Sequence, residues 1–428
     1  MKINNFISAL FAVTLYWFLM HALKVESGSI LKISLTSLLW LVVLIFAIHY
    51  NQSIRIMNIY FNRRGLILMN LLLVVNIINI GRGLVDTSGL ALTNILGNPF
   101  TALSLLTPLA AAYAVNIKNI FYMNKYLLFI VPLGLISAIL YFFISGFGVI
   151  RKDVSPAWNF IYPVIFLIGT IGYLHSINRY VIIVASTFLF IYIGVIIGSR
   201  ATLLRIIFLY IFLNVAYWQH KFITKRVLPF FIMTILIIPA IFINSSLLNE
   251  ESIFQTTTSR IQEHLGHTNR GNVLAKADTR TFLYYEVIND LIKDESLIFG
   301  KGSSGRYFSN YFSNTGQDTD TRLTVEVGFL AILLKGGIVA AVINIVIFIY
   351  AGVLAVTKSN NIYIKWIGFM ILIHTLLLFV ENLVTFDLYN IFIWFFVGAC
   401  FSKGLSSMND HEMKLLLIGR YATVQKIN

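Results

Sequence analysis

Apolar runs of about twenty residues recur along the chain, and polar positions gather in the stretches between them; each run is long enough to cross a hydrocarbon core of about 30 Å as an α-helix. Twelve runs stand out, at residues 6–23, 30–49, 66–80, 98–115, 126–145, 158–174, 180–198, 201–218, 227–244, 327–353, 364–380 and 384–401. One hydrophilic stretch, 245–324, interrupts them between the ninth and the tenth. The pattern predicts an all-α polytopic membrane protein of about twelve spans, one membrane domain over residues 1–428 with a long loop inserted in it. No repeat of fixed period and no half-to-half correspondence of broken helices is visible, in contrast to many secondary transporters.

Within the long loop the pattern changes again. Residues 250–277 are polar and weakly patterned, irregular or at most a short helix. Over 280–298, Tyr284, Val287, Ile288, Leu291 and Ile292 recur at helical spacing, with Glu286, Asn289, Asp290 and Lys293 opposite them. That spacing predicts an amphipathic helix lying on the membrane or roofing a cavity, with Asp278 as its N-cap. A turn-forming run, Gly300-Lys301-Gly302-Ser303-Ser304-Gly305, ends it. A glycine-rich connection at 81–97, carrying Arg82 and Asp86, reads as a short re-entrant or lining segment.

Composition agrees: 58% of residues are apolar and 12% charged, far from a soluble balance. Charge adds orientation. From a cytoplasmic N-terminus, the inner connections carry Arg55, Arg63, Arg64, Lys118, Lys125, Arg179, Lys221, Lys225, Arg226, Lys358 and Lys365, with no Asp or Glu among them. Only Asp410 and Glu412, in the C-terminal tail, place acids on that side. This positive-inside bias puts both termini in the cytoplasm and the long loop outside. The formal charge of +14 does not indicate a nucleic-acid binder, because acidic residues outnumber basic ones in the loop. Cys400 is the sole cysteine and forms no internal disulfide. The first run lacks a small-residue cleavage site and reads as an uncleaved span.

Candidate chemistry is sparse. Gly300, Gly302 and Gly305 spell GxGxxG, but they follow a helix instead of a strand, which argues against a dinucleotide site; their N–H groups could still help bind an anion. Asp318-Thr319-Asp320 resembles a metal-binding carboxylate pair, a weak signal in any polar loop. Gly198-Ser199-Arg200 sets an arginine at a span end, and Arg205 one turn deeper reads as an interfacial anchor. Arg280 heads the amphipathic helix, where an anion is already favoured. A guanidinium suits phosphate because it donates two parallel hydrogen bonds. Arg322, Glu326, Lys335, Glu381 and Asp387 converge near the outer mouth of the tenth to twelfth runs. His264 and His267 fall in the irregular part of the loop, and His374 reads as a packed polar residue.

In this order and on these membrane sides, Gly198-Ser199-Arg200, Arg280-Thr281-Phe282-Leu283-Tyr284-Tyr285, Phe299-Gly300-Lys301-Gly302, Glu326-Val327-Gly328 and Leu333-Leu334-Lys335-Gly336-Gly337-Ile338 resemble the O-antigen polymerase (Wzy-type) family. That family sits within the O-antigen ligase and polymerase superfamily. The resemblance implies an inverting membrane glycosyltransferase at the periplasmic face of the bacterial inner membrane. It would join undecaprenyl-pyrophosphate-linked glycans, one as donor and one as acceptor, without metal or cofactor, and the family admits a chain-length regulator as partner. Arg200, Arg280 and Arg322 would hold the pyrophosphate. Related ligases carry a histidine shortly before the tenth run, but 317–322 contains none, so Asp318, Asp320 and Glu326 are the candidate bases, Asp320 first. The alternatives are a lipid-linked oligosaccharide flippase or transporter, and an O-antigen ligase. A flippase would line mid-membrane helices with charge; this chain keeps its charges outside.

Overall fold

The computed structural model describes residues 5–22, 30–85, 95–145, 162–191, 205–211, 228–229, 232–235, 237, 281–309, 321–382 and 384–420. Their order is α1 (Asn5–Ala22), α2 (Ile30–Tyr60), α3 (Arg63–Leu84), a short helix Ala102–Leu105 followed by a 3-10 helix Thr107–Val115, then α4 (Lys118–Ser145). Two 3-10 turns (Tyr162–Phe166 and Ile168–Thr170) precede α5 (Ser176–Leu189) and α6 (Thr281–Lys293). A two-stranded ribbon, β1 (Tyr307–Phe308) and β2 (Thr321–Arg322), leads to α7 (Gly328–Lys358), α8 (Ile362–Leu377) and α9 (Leu388–Phe401). Two short helices, α10 (Lys403–Ser407) and α11 (Asp410–Leu417), close the described chain.

These residues form an all-α membrane protein. Ser34–Tyr60, Arg63–Leu84, Lys118–Ile136 and Gly328–Lys358 are each long and apolar enough to cross a bilayer, and five shorter apolar helices accompany them. Within two expected spans, 98–115 and 158–174, the stretches Thr107–Val115, Tyr162–Phe166 and Ile168–Thr170 are 3-10 rather than α-helical. Pro108 and Pro163 each fall in the first turn of a 3-10 helix, where the missing N–H has no intrahelical partner to lose. The expected re-entrant segment starts differently: residues 81–84 prolong α3, while Asp86 lies outside the described residues.

Lipid tails are as apolar as leucine, so helices in a membrane associate through close packing of small residues and buried hydrogen bonds. α9 lies against the 3-10 helix so closely that a Cβ on Gly398 would sit 2.2 Å from the Ala111 carbonyl oxygen. α7 packs on α3, α8 and α9. At one end, the Asn361 side chain caps α8 by accepting from the Ile364 N–H, and Asp410 Oδ1 accepts from the Ile362 N–H at 2.8 Å and the Tyr173 hydroxyl at 2.7 Å. Glu412 completes a capping box with Asn409. Both tail acids therefore hold helix ends.

The opposite end carries the loop. There the Gly328 N–H donates to the Glu381 carbonyl at 2.9 Å, and the Tyr284 hydroxyl donates to the Phe379 carbonyl at 2.7 Å. The amphipathic helix is thus tied to the α8–α9 connection. Tyr284, Val287, Ile288 and Leu291 are buried as the pattern predicts, with Leu283 added, in a cluster with Val325, Val327, Leu330 and Leu334. Ile292 departs from the expected stripe and is half exposed.

α7 is not one continuous helix. Gly337 has φ 65° and ψ −168°, which breaks the i to i−4 hydrogen-bond ladder and orphans backbone groups on either side. The glycine turn supplies their partners. The Lys301 and Gly302 N–H groups donate to the Leu334 and Lys335 carbonyls at 2.7 and 3.0 Å. In return, the Leu297 and Ile298 carbonyls accept from the Ile338 and Val339 N–H groups at 3.0 and 3.2 Å. Backbones this close leave no room for side chains: a Cβ on Gly337 would lie 2.2 Å from the Ile298 oxygen, and one on Gly300 2.5 Å from the Gly337 nitrogen.

Candidate functional site

The loop end gathers three layers of polar groups. In the outermost, β1 and β2 pair Tyr307 with Arg322, and Arg322 Nη1 comes within 4.0 Å of Glu326 Oε1 four residues along the chain. Burial pushes the Tyr307 phenol up to about 12, partly offset by the Arg322 charge. Glu326 is half exposed and faces water, so its ion pair is worth under about 1 kcal/mol. Beside it, Lys301 Nζ bridges Asp290 and Asp294, both at 2.5 Å. Burial works against the Lys301 charge, but these two carboxylates outweigh it and hold its pKa above the ordinary lysine value. The Ser309 hydroxyl donates to Glu286 at 2.6 Å. Three of the loop's acids are therefore engaged in folding it.

Deeper lies a network that the sequence pattern does not disclose. Arg205 is buried, with 1% of its side chain exposed, and its Nη2 donates to Glu381 Oε2 at 3.0 Å. Its guanidinium lies 5.2 Å from the centroid of the Tyr389 ring. The Tyr389 hydroxyl is 3.0 Å from His374 Nδ1, and Phe348 meets the His374 ring edge-on. An interfacial anchor would extend to water, so the expectation for Arg205 is corrected: its partner Glu381, 176 positions away, draws it into the bundle. His374 is a packed polar residue as expected. Asp387 caps α9 by accepting from the Asn390 N–H at 2.8 Å.

The third layer is a cavity of about 30 Å³ within the bundle, on the scale of one water molecule. Asn76, Ser104, Asn344, His374, Thr385 and Asn390 supply its polar lining. Asn76 Oδ1 and Thr385 Oγ1 are buried without a hydrogen-bond partner among the described residues. Near it Lys335 is buried, its Nζ 3.4 Å from Ser104 Oγ. Lys335 sits in the last turn before the break at Gly337, where the negative end of the half-helix favours a cation.

Of the six residues singled out by sequence, Arg322 and Glu326 are brought together here. Arg200, Arg280, Asp318 and Asp320 lie outside the described residues, as do Asp278, His264 and His267. Among the described residues no group of three or more His, Cys, Asp or Glu side chains is arranged to hold a metal. The GxGxxG run is a structural clasp. Its Gly300, Lys301, Gly302, Ser303 and Gly305 N–H groups donate to backbone carbonyls, which leaves little of the anion nest considered above.

Fold and site define a multi-pass α-helical membrane protein whose chemistry-bearing groups cluster beneath one long loop. Residues 185–345 match the family described as O-antigen ligase, a stretch that takes in Arg205, the docked helix α6, the glycine clasp and the first half of α7. The match is consistent with the O-antigen ligase/polymerase superfamily and supports a membrane enzyme of that type. Members of this family are glycosyltransferase-like membrane enzymes acting on lipid-linked oligosaccharides. No curated protein and no solved structure matches the chain.

Proposed function

We propose that this protein polymerises undecaprenyl-pyrophosphate-linked oligosaccharide repeat units at the periplasmic face of the bacterial inner membrane, with both termini in the cytoplasm. The family match over 185–345 carries the reading, because it spans the long loop together with the membrane segments on both sides of it. An acceptor sugar hydroxyl attacks the anomeric carbon of the donor glycan. The bond from that carbon to the pyrophosphate oxygen breaks, and the lipid pyrophosphate leaves with the electron pair. A single displacement of this kind inverts the anomeric centre.

The proton passes to a carboxylate within hydrogen-bond reach, for which Asp320 is the first choice and Asp318 and Glu326 the alternatives. Arg200, Arg280 and Arg322 stabilise the departing charge by bidentate hydrogen bonds. A chain-length regulator is an expected partner. Loss of the gene tests the reading: cells should keep surface glycans of one repeat and lose long chains. The word ligase in the family's description favours a second reading, transfer of finished polymer to a different acceptor. Under that reading, cells lacking the gene would still accumulate long lipid-linked chains.

A further inference from the structure

A groove of about 340 Å³ runs between α3 and α7 beneath the glycine clasp. Val75, Ile78 and Val339 form its walls, Phe299 its rim, and Asn79 and Arg82 its polar end. Ile78 and Phe299 are 55% and 61% exposed, so the groove opens sideways along an apolar face of the protein. Apolar walls alone would suit any lipid tail.

The polar end is more selective, because it offers donors. Asn79 is 3% exposed, and its amide nitrogen has no hydrogen-bond partner among the described residues. A buried donor without a partner is destabilising, and an acceptor oxygen in the groove would relieve that. Arg82, one turn further along α3, spends two N–H groups on the clasp: Nη1 on the Phe299 carbonyl and Nη2 on the Gly300 carbonyl at 2.7 Å. A guanidinium has five N–H groups, so three remain to donate. No carboxylate among the described residues pairs with Arg82. A cation and an orphan amide donor above a channel open to lipid are complementary to one kind of ligand, an apolar chain ending in a phosphate.

We propose that this groove seats an isoprenoid-chain phosphate lipid, its chain between α3 and α7 and its phosphate against Arg82 and Asn79. The choice of an isoprenoid over a membrane phospholipid rests on the function proposed above. Because Arg82 also braces the clasp, occupancy would couple lipid capture to the placement of the loop.

The test uses the full-length protein in nanodiscs with a photoreactive undecaprenyl phosphate, competed by undecaprenyl phosphate, undecaprenol and phosphatidylglycerol. Crosslinks should map to 75–82, Phe299 and 336–339 in the unmodified protein. Undecaprenyl phosphate should compete at least about tenfold better than the other two, the scale of one charge-assisted pair of hydrogen bonds. Arg82→Gln should remove that advantage and leave undecaprenol unchanged, and Asn79→Leu should reduce it a few-fold. Crosslinks elsewhere, equal competition by phosphatidylglycerol, or an unaltered advantage in Arg82→Gln would each overturn the proposal. The mapping needs no variant, so a poorly folding Arg82→Gln does not block the test. Mapped crosslinks without polymerisation would remove the proposed function and keep the lipid seat; polymerisation without them would do the reverse.

Discussion

A guanidinium as enclosed as that of Arg205 must be neutralised inside the protein, and Glu381 does this at 3.0 Å while the Tyr389 ring faces it. Removing one partner of a buried pair strands the other charge, at a cost on the order of 3–5 kcal/mol. Glu381→Gln and Arg205→Met should each lower the unfolding temperature clearly in detergent, and the double variant should recover part of the loss. Additive losses would mean that the two side chains do not depend on each other. Activity is expected to respond to other residues. Asp320→Asn is nearly isosteric and should abolish polymerisation at an unchanged protein level. Arg200→Lys and Arg280→Lys keep the charge but lose the bidentate fork, and should lose most of the activity. Full polymer from both lysine variants would reduce them to structural anchors. The importance of charge at the loop end is legible from the sequence, as in the i,i+4 pair Arg322–Glu326. The Arg205–Glu381 pair is not legible, because 176 residues separate partners that only the folded bundle joins.

The element that organises the loop is the break in α7 together with the glycine turn that repairs it. Four backbone hydrogen bonds cross between them, and the positive φ of Gly337, Gly300 and Gly302 makes the approach possible. Gly337→Ala would meet the Ile298 carbonyl and force an L-residue into a nearly glycine-only backbone region, a conformational cost of about 1–3 kcal/mol before any clash is counted. We expect trypsin to cut at Lys293 and Lys301 several-fold faster in that variant, because the loop would undock. Unchanged cleavage would show that α6 holds the loop without the clasp. The amphipathic stripe of α6 is readable from its 3.6-residue period, and Tyr284, Val287, Ile288 and Leu291 are buried accordingly. The break in α7 is not: Gly336-Gly337 within an apolar run looks like an ordinary span, since the groups that compensate for it come from another part of the chain. The same limit applies at 98–115 and 158–174, where hydropathy marks apolar segments but carries no information about 3-10 geometry.

At the scale of the whole molecule, everything depends on which side of the membrane the loop faces. Reporter fusions within 245–324 and after residue 420 should report opposite sides, with the loop outside; the same side for both would remove the periplasmic reaction. The reaction is also expected to proceed without metal, since arginines would carry the leaving charge, so EDTA should not slow the purified enzyme. Activity that survives Asp320→Asn but disappears with EDTA would turn Asp318 and Asp320 into metal ligands and move the base elsewhere. The most direct measurement is reconstitution of the purified protein in liposomes with undecaprenyl-pyrophosphate-linked repeat units as the only glycan. The expected result is a ladder of lipid-linked products growing by one repeat, with release of undecaprenyl pyrophosphate and no ladder from Asp320→Asn. A single-repeat substrate left unextended by folded wild-type protein would contradict it.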